Sequence, residues 1–194
     1  SNLVSKTDTL VLGGGMANTF LAAQGMPMGK SLCEREMKQQ ALEIMDKARA
    51  KGCRIILPED GVMAAAFAAN AESEIGDSDS IPEGMMMLDI GPRSIEVIKE
   101  ALANTKTVLW NGPLGAFEIQ PFDKGTVATA QAVAAAVKSR NITAVAGGGD
   151  TVAALAHAGV IDDMTYVSTA GGAFLEWLEG KTLPGVAALM KSAA

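Results

Sequence analysis

Residues 142–158 read ITAVAGGGDTVAALAHA. Ile142, Ala144, Val145 and Ala146 make a short apolar run of the kind that forms a fully buried parallel strand. Three glycines follow, and Asp150-Thr151 then open an alanine-rich stretch with helical periodicity. The order is strand, glycine turn, helix. Glycine lets the main chain approach a ligand with no Cβ in the way, and the first amides of a helix point unpaired N–H groups outward. An anion there gains hydrogen bonds and the positive end of the helix dipole. The stretch therefore predicts a phosphate or nucleotide site over 147–151. A tight βα turn, with Asp150 or Thr151 as N-cap, accounts for the same residues taken alone.

Working outward, Thr9–Leu12 has the same layout: an apolar strand runs into Gly13-Gly-Gly15 and a helix expected from about Met16. A helix is expected over 33–51, closed by Gly52, because Met37, Ala41, Ile44, Met45 and Ala48 form one apolar stripe. A strand follows at 54–57. Residues 59–70 are open between helix and returning edge strand, the acidic stretch 71–82 reads as a solvated loop, and Met85–Leu88 as core filler. Pro92 suits the first turn of a helix reaching about Asn104. Thr107–Trp110 is a strand ending in NGPLGAFE, 124–139 a helix, 166–168 a short strand, 173–179 a helix, and an irregular tail begins at Leu183. Strands alternating with helices predict one α/β domain with a doubly wound, mostly parallel sheet. In such sheets the carboxyl ends of the strands share one edge, where ligands bind. Several glycine turns meeting at that edge argue for a nucleotide more strongly than any one of them.

Composition narrows the partners. The 194 residues are 48% hydrophobic and 20% charged, with 21 glycines and a formal charge of −6. No Lys/Arg cluster exists to displace the counterions of a nucleic acid. No apolar run is long enough to span a bilayer and no leader opens the chain, so a cytoplasmic protein is expected. Cys33 and Cys53 are isolated, which disfavours a metal cluster or disulfide framework, and the single histidine, His157, falls within a helix.

There is no GxxxxGK[ST] loop, and GxGxxG is only half met at Gly13–Gly15, with no acidic residue ending a second strand to hold a ribose. What remains is a nucleotide site built from main-chain amides. Asp150 supplies a hard oxygen ligand for Mg²⁺, and Glu118 is placed to accept hydrogen bonds from ribose hydroxyls. Phosphoryl transfer needs mainly positioning and charge neutralisation. Cationic residues are sparse near the turns.

TLVLGGGMANTFLAAQG (9–25), LDIGP (88–92), VLWNGPLGAFE (108–118), AGGGDT (146–151), VSTAGGAFLEWL (167–178) and EGKTLPGVAAL (179–189) together resemble the phosphoglycerate kinase family, in order and at its spacing. The resemblance implies transfer of the acyl phosphate of 1,3-bisphosphoglycerate to MgADP, giving ATP and 3-phosphoglycerate. It also implies a Rossmann-like, three-layer α/β/α domain as one of two that close over the substrates. On that basis 1–194 corresponds to the nucleotide-binding, C-terminal domain without its first β-α unit, whose glycine-lysine turn Lys6 does not replace. The triose-phosphate substrate then belongs to an N-terminal domain outside this sequence. The chain is expected to be a fragment opening on a cloning remnant, Ser1-Asn2, to bind nucleotide weakly, to be inactive alone and to self-associate through uncovered apolar edges, the parent being a monomer.

Carried over position by position, the resemblance puts Gly14 and Gly15 on the adenine pocket with Leu88 opposite. It puts Asn111, Pro113 and Glu118 beside the nucleotide, with Glu118 on the ribose. Gly148, Gly149, Asp150 and Thr151 would hold the phosphates and Mg²⁺, and Gly171 and Gly172 would open the helix facing the phosphoryl group in flight. Two positions depart from the family pattern: Met87, where a glycine is common and which would narrow the adenine slot, and Ala170, in place of a third glycine. A stand-alone nucleotide-binding module and a dinucleotide oxidoreductase are the competing readings.

Overall fold

The computed structural model describes residues 2–168, 173, 176, 179–185, 187 and 188. Its strands form three ladders. Thr9–Val11 (β1) pairs in parallel with Arg54–Ile56 (β2). Asp60–Ala64 (β3) lies between Ser73–Asp77 (β4) and Met86–Ile90 (β5), antiparallel to both. Thr107–Trp110 (β6), Thr143–Gly147 (β7) and Tyr166–Ser168 (β8) are parallel, with β7 in the middle. The helices are Gly14–Ala23 (α1), Lys38–Lys51 (α2), Pro92–Ala103 (α3), Lys124–Arg140 (α4) and Gly149–His157 (α5). The βα alternation and the parallel pairing are those of a mixed α/β fold.

Five expectations change. Residues 60–64 are the central strand of the antiparallel ladder and not an edge, and 73–77, read as a solvated loop, supply that edge, with Ile75 exposed. The acidic residues there decorate a strand whose outer side faces water, so composition alone hid it. Helix α1 starts at Gly14, two residues early, because Gly13 is already the N-cap. The stripe at 33–51 divides into a 3-10 turn, Arg35–Met37, and α2. Residues 184, 185, 187 and 188 are helical where an irregular tail was expected. The helix at 173–179 falls mostly outside the described residues.

Small side chains set the spacing around β7. Ala144 and Ala146 are fully buried, which lets α4 pack Ala130, Val133 and Ala134 onto the strand beside Trp110 and Leu155. Helix α2 ends on Gly52 and α4 on Asn141, both left-handed. Arg140 donates to the carbonyls of Ala103 and Leu102, joining the C-terminal ends of α4 and α3.

The N-terminus of α3 is closed from another element. Asp60, 2% exposed at the start of β3, accepts the Ser94 N–H at 2.9 Å and Ser94 Oγ at 2.6 Å on Oδ1, and the Arg93 N–H at 3.1 Å on Oδ2. Arg93 also pairs with Asp77 of β4, so one carboxylate binds strand, helix start and edge strand together.

Among the described residues β1 pairs only with β2, and β6 only with β7. The two parallel ladders meet through the Gly14 N–H, which donates to the Leu114 carbonyl at 3.0 Å, and through Leu102 of α3. Leu102 packs against both the Ile56–Ile90–Ile98–Leu114 cluster and the Trp110–Val133–Ala144 cluster.

Candidate functional site

Because β6 and β7 are parallel, their carboxyl ends lie side by side and deliver Asn111 and Gly148 to one edge. Asn111 Nδ2 donates to the Gly147 carbonyl at 2.7 Å, and the Gly112 N–H donates to Thr151 Oγ1 at 2.7 Å. Gly148 has φ +102°, and a Cβ there would come within 2.9 Å of Asn111 Nδ2, so both conformation and space require glycine. Two further bonds bring in the remaining turns. The Gly14 N–H donates to the Leu114 carbonyl, and the Ala116 N–H donates to the Leu88 carbonyl at 2.8 Å. One continuous network thus connects Gly14, Leu88, the segment bearing Asn111, Pro113 and Glu118, and Gly148 to Thr151. Gly171, Gly172 and Ala170 lie outside the described residues.

Apart from α2, whose start follows a 3-10 turn and has no side-chain cap, the helix starts divide into two kinds. That of α3 is filled by Asp60, and that of α4 by Asp89, whose Oδ2 accepts the Gly125 N–H at 2.6 Å. Helices α1 and α5 begin on glycine N-caps, Gly13 and Gly148, with no side chain capping them. Their positive ends remain available to an anion, and both belong to the network. Gly15 lies in the first turn of α1, and Gly149 in that of α5.

Asp150, also in the first turn of α5, is exposed and has no side-chain partner among the described residues. Among those residues no three His, Cys, Asp or Glu side chains come together as a metal cage. A single free carboxylate beside helix amides nonetheless suits Mg²⁺, which is commonly held by one or two carboxylates together with substrate phosphates. Glu118 is exposed in its turn, whereas Thr151 is 1% exposed and its hydroxyl joins α5 to the Gly112 amide.

Sequence reasoning missed Leu32 and Met16. They are 79% and 62% exposed, and Leu32 Cδ2 lies 3.1 Å from where a Gly15 Cβ would stand, so the two present an apolar platform beside α1. Leu32 is held by Asn18 Nδ2, which donates to its carbonyl at 3.0 Å. Nothing in the pattern of residues 26–32 signals this exposure. Met87 is the reverse case: it is buried among Leu21, Met28, Met63 and Ile81 over Gly61, in the core. Two open surface hollows, about 290 and 410 Å³, lie elsewhere, at the C-terminal ends of α3 and α4 around Arg140.

Burial pushes the Asp89 carboxyl up from 3.8 to about 7, against the pull of the Gly125 and Ile90 amides, with repulsion from Asp123 adding to the rise. The folded chain therefore holds a proton that the unfolded chain has already released between about pH 4 and pH 7. This group's contribution to stability is full below the lower value and is lost as pH rises through the upper one. Urea midpoints are expected to fall from pH 5 to pH 8 by an amount that Asp89→Asn removes, worth up to about 2.6 kcal/mol. Equal pH slopes in the two proteins would contradict this.

A family model described as phosphoglycerate kinase matches residues 1–181. Phosphoglycerate kinase of Agrobacterium fabrum is 61% identical over 188 residues, which are 97% of this chain and 47% of that protein. That of Sinorhizobium medicae is 61% identical over 185 residues, covering 95% of this chain and 46% of its relative. The solved phosphoglycerate kinase of Coxiella burnetii superposes with a TM-score of 0.94 at 44% identity, over 100% of this chain and 49% of that one. The enzyme of Pyrococcus horikoshii OT3 gives 0.73 at 27%, over 97% and 47%. The chain spans about half the length of the curated relatives it matches.

Proposed function

From membership of the phosphoglycerate kinase family, we propose that this chain forms the nucleotide-binding half of an enzyme that transfers a phosphoryl group between 1,3-bisphosphoglycerate and MgADP. The observation that carries the reading is the pair of uncapped helix starts, α1 and α5, joined through residues 111–118. The α5 amides and Gly148–Thr151 receive the phosphates, and Asp150 holds Mg²⁺. When bound, that ion supplies charge neutralisation on the phosphate oxygens. Gly14, Gly15, Leu32 and Leu88 take the purine. Asn111 and Pro113 line the nucleotide between these ends, and Glu118 accepts from the ribose.

The remainder of the relatives' length supplies the triose-phosphate site. Gly171 and Gly172 open the helix facing the transferred group. The open edges of β1 and β6 favour self-association of the isolated chain. A glycolytic enzyme of this kind works in the cytoplasm, and no helix among the described residues is long and apolar enough to cross a membrane.

Calorimetric titration tests the reading. MgADP is expected to bind the chain, and NADH to give no fluorescence change. Saturable binding of NADH with none of MgADP would favour the dinucleotide oxidoreductase reading instead.

A further inference from the structure

Residues 111–118 carry three of the groups assigned to the nucleotide, yet belong to no helix or strand. What holds them is β5. In the pairing of β3 with β5, Val62 faces Asp89 and Met63 faces Met87, so Leu88 bulges out of the ladder. Its carbonyl is thereby freed to accept the Ala116 N–H at 2.8 Å. A bulge of this kind re-aims a side chain and commonly stands beside a functional site.

The next residue, Asp89, is 2% exposed. Its two carboxylate oxygens accept from two directions: Oδ1 from the Ile90 N–H at 2.9 Å, and Oδ2 from the Gly125 N–H at 2.6 Å. A Cβ on either Gly115 or Gly125 would run into this carboxylate, so the turn and the start of α4 are fitted around it. Thr126 completes the attachment by accepting the Leu114 N–H on its hydroxyl at 3.1 Å.

We infer that Asp89 is the positioning residue of the nucleotide site: its buried carboxylate seats residues 111–118 against Leu88 and so sets the reach of Pro113 and Glu118 to the nucleotide. The inference rests on the nucleotide-binding reading above. It assigns Asp89 no contact with the ligand.

The ionised form is the one that serves, because both oxygens act as acceptors. Protonation turns one of them into a donor, and the group opposite it is an N–H. The raised value for this carboxyl brings that change into the neutral range. The other charged groups around it are accounted for. Asp123 at the start of α4 repels it and is bound to His157 Nε2 of α5 at 2.9 Å. On β3, alongside, Asp60 is occupied by α3. Glu118 lies in the turn itself.

The test is MgADP affinity of the full chain against pH, by calorimetry, for the unaltered protein and for Asp89→Asn. The unaltered chain is expected to bind about tenfold more weakly at pH 6 than at pH 8. Asp89→Asn is expected to bind at the weaker level throughout. Protonation of the nucleotide's own phosphate is common to both proteins, so the difference between their slopes belongs to Asp89. A purely structural carboxylate would lower the melting temperature of Asp89→Asn without separating the two slopes. Equal slopes, or a flat profile in the unaltered chain, which needs no variant to fold, overturn the inference and leave nucleotide binding standing. No MgADP binding by the unaltered chain at any pH removes the functional reading, and the inference with it.

Discussion

Asp150→Ala is expected to weaken MgADP binding to the chain at least about tenfold while leaving metal-free ADP bound as well as before, or better. The two halves of this result have one cause. With Mg²⁺ present the carboxylate gains a cation to hold, and a charged ligand oxygen is worth about 1.4 kcal/mol or more, a factor of ten. Without the ion it is a negative charge beside negative phosphates, and removing it relieves repulsion. The variant is clean because Asp150 is exposed and has no partner among the described residues, so its loss costs the fold only the helix-dipole contribution, about 0.3–1 kcal/mol. Calorimetry with and without chelator reads both arms. Equal weakening in the two arms would remove Asp150 from the metal and make it an ordinary phosphate-side residue.

Asp60→Ala carries the largest expected stability loss, about 3–4 kcal/mol. The substitution strands the buried Ser94 N–H and the Arg93 N–H at once and takes one of the Ser94 hydroxyl's partners, leaving it the Asp60 carbonyl at 3.0 Å. A buried donor left unpaired costs about 1–3 kcal/mol, and loss of a helix cap about 1 kcal/mol, with the sum limited by relaxation. For a chain of this size that corresponds to a fall of about 10 °C in melting temperature. Asp60→Asn keeps an oxygen for Ser94 and is expected to fall between. Urea denaturation followed by circular dichroism measures both; a loss below about 1 kcal/mol for the alanine variant would show that α3 is held by its apolar face alone.

Much of this arrangement is legible before any coordinates. Ile142–Ala146 and Thr107–Trp110 announce themselves as buried strands because they are short apolar runs stopped by glycine or Asn-Gly-Pro, and each is found within a residue of its expected place. The helix starts behind these glycine turns are legible only to within two residues, at about Met16 and Asp150 where the helices begin at Gly14 and Gly149, because the glycines that keep the main chain bare already belong to the helix. The β3–β4–β5 ladder is not legible. Its strands alternate poorly and its edge is acidic, and what orders them is pairing between residues far apart, such as Met63 with both Glu74 and Met87. Asp60 and Asp89 are hidden likewise. As isolated acids they read as surface charge, and only the tertiary structure turns them inward onto helix starts. Leu32 is the converse, an apolar residue left in water by a loop whose course no local pattern dictates.

Among the described residues β1 and β6 share no ladder hydrogen bond, so the two parallel ladders stand as separate leaves. Gly14 rides on one leaf and Gly148 on the other, and the span between them is bridged by residues 111–118 and by the side chain of Leu102. No ladder hydrogen bond fixes the distance between Gly14 and Gly148, so side-chain packing and the 111–118 turn alone set it.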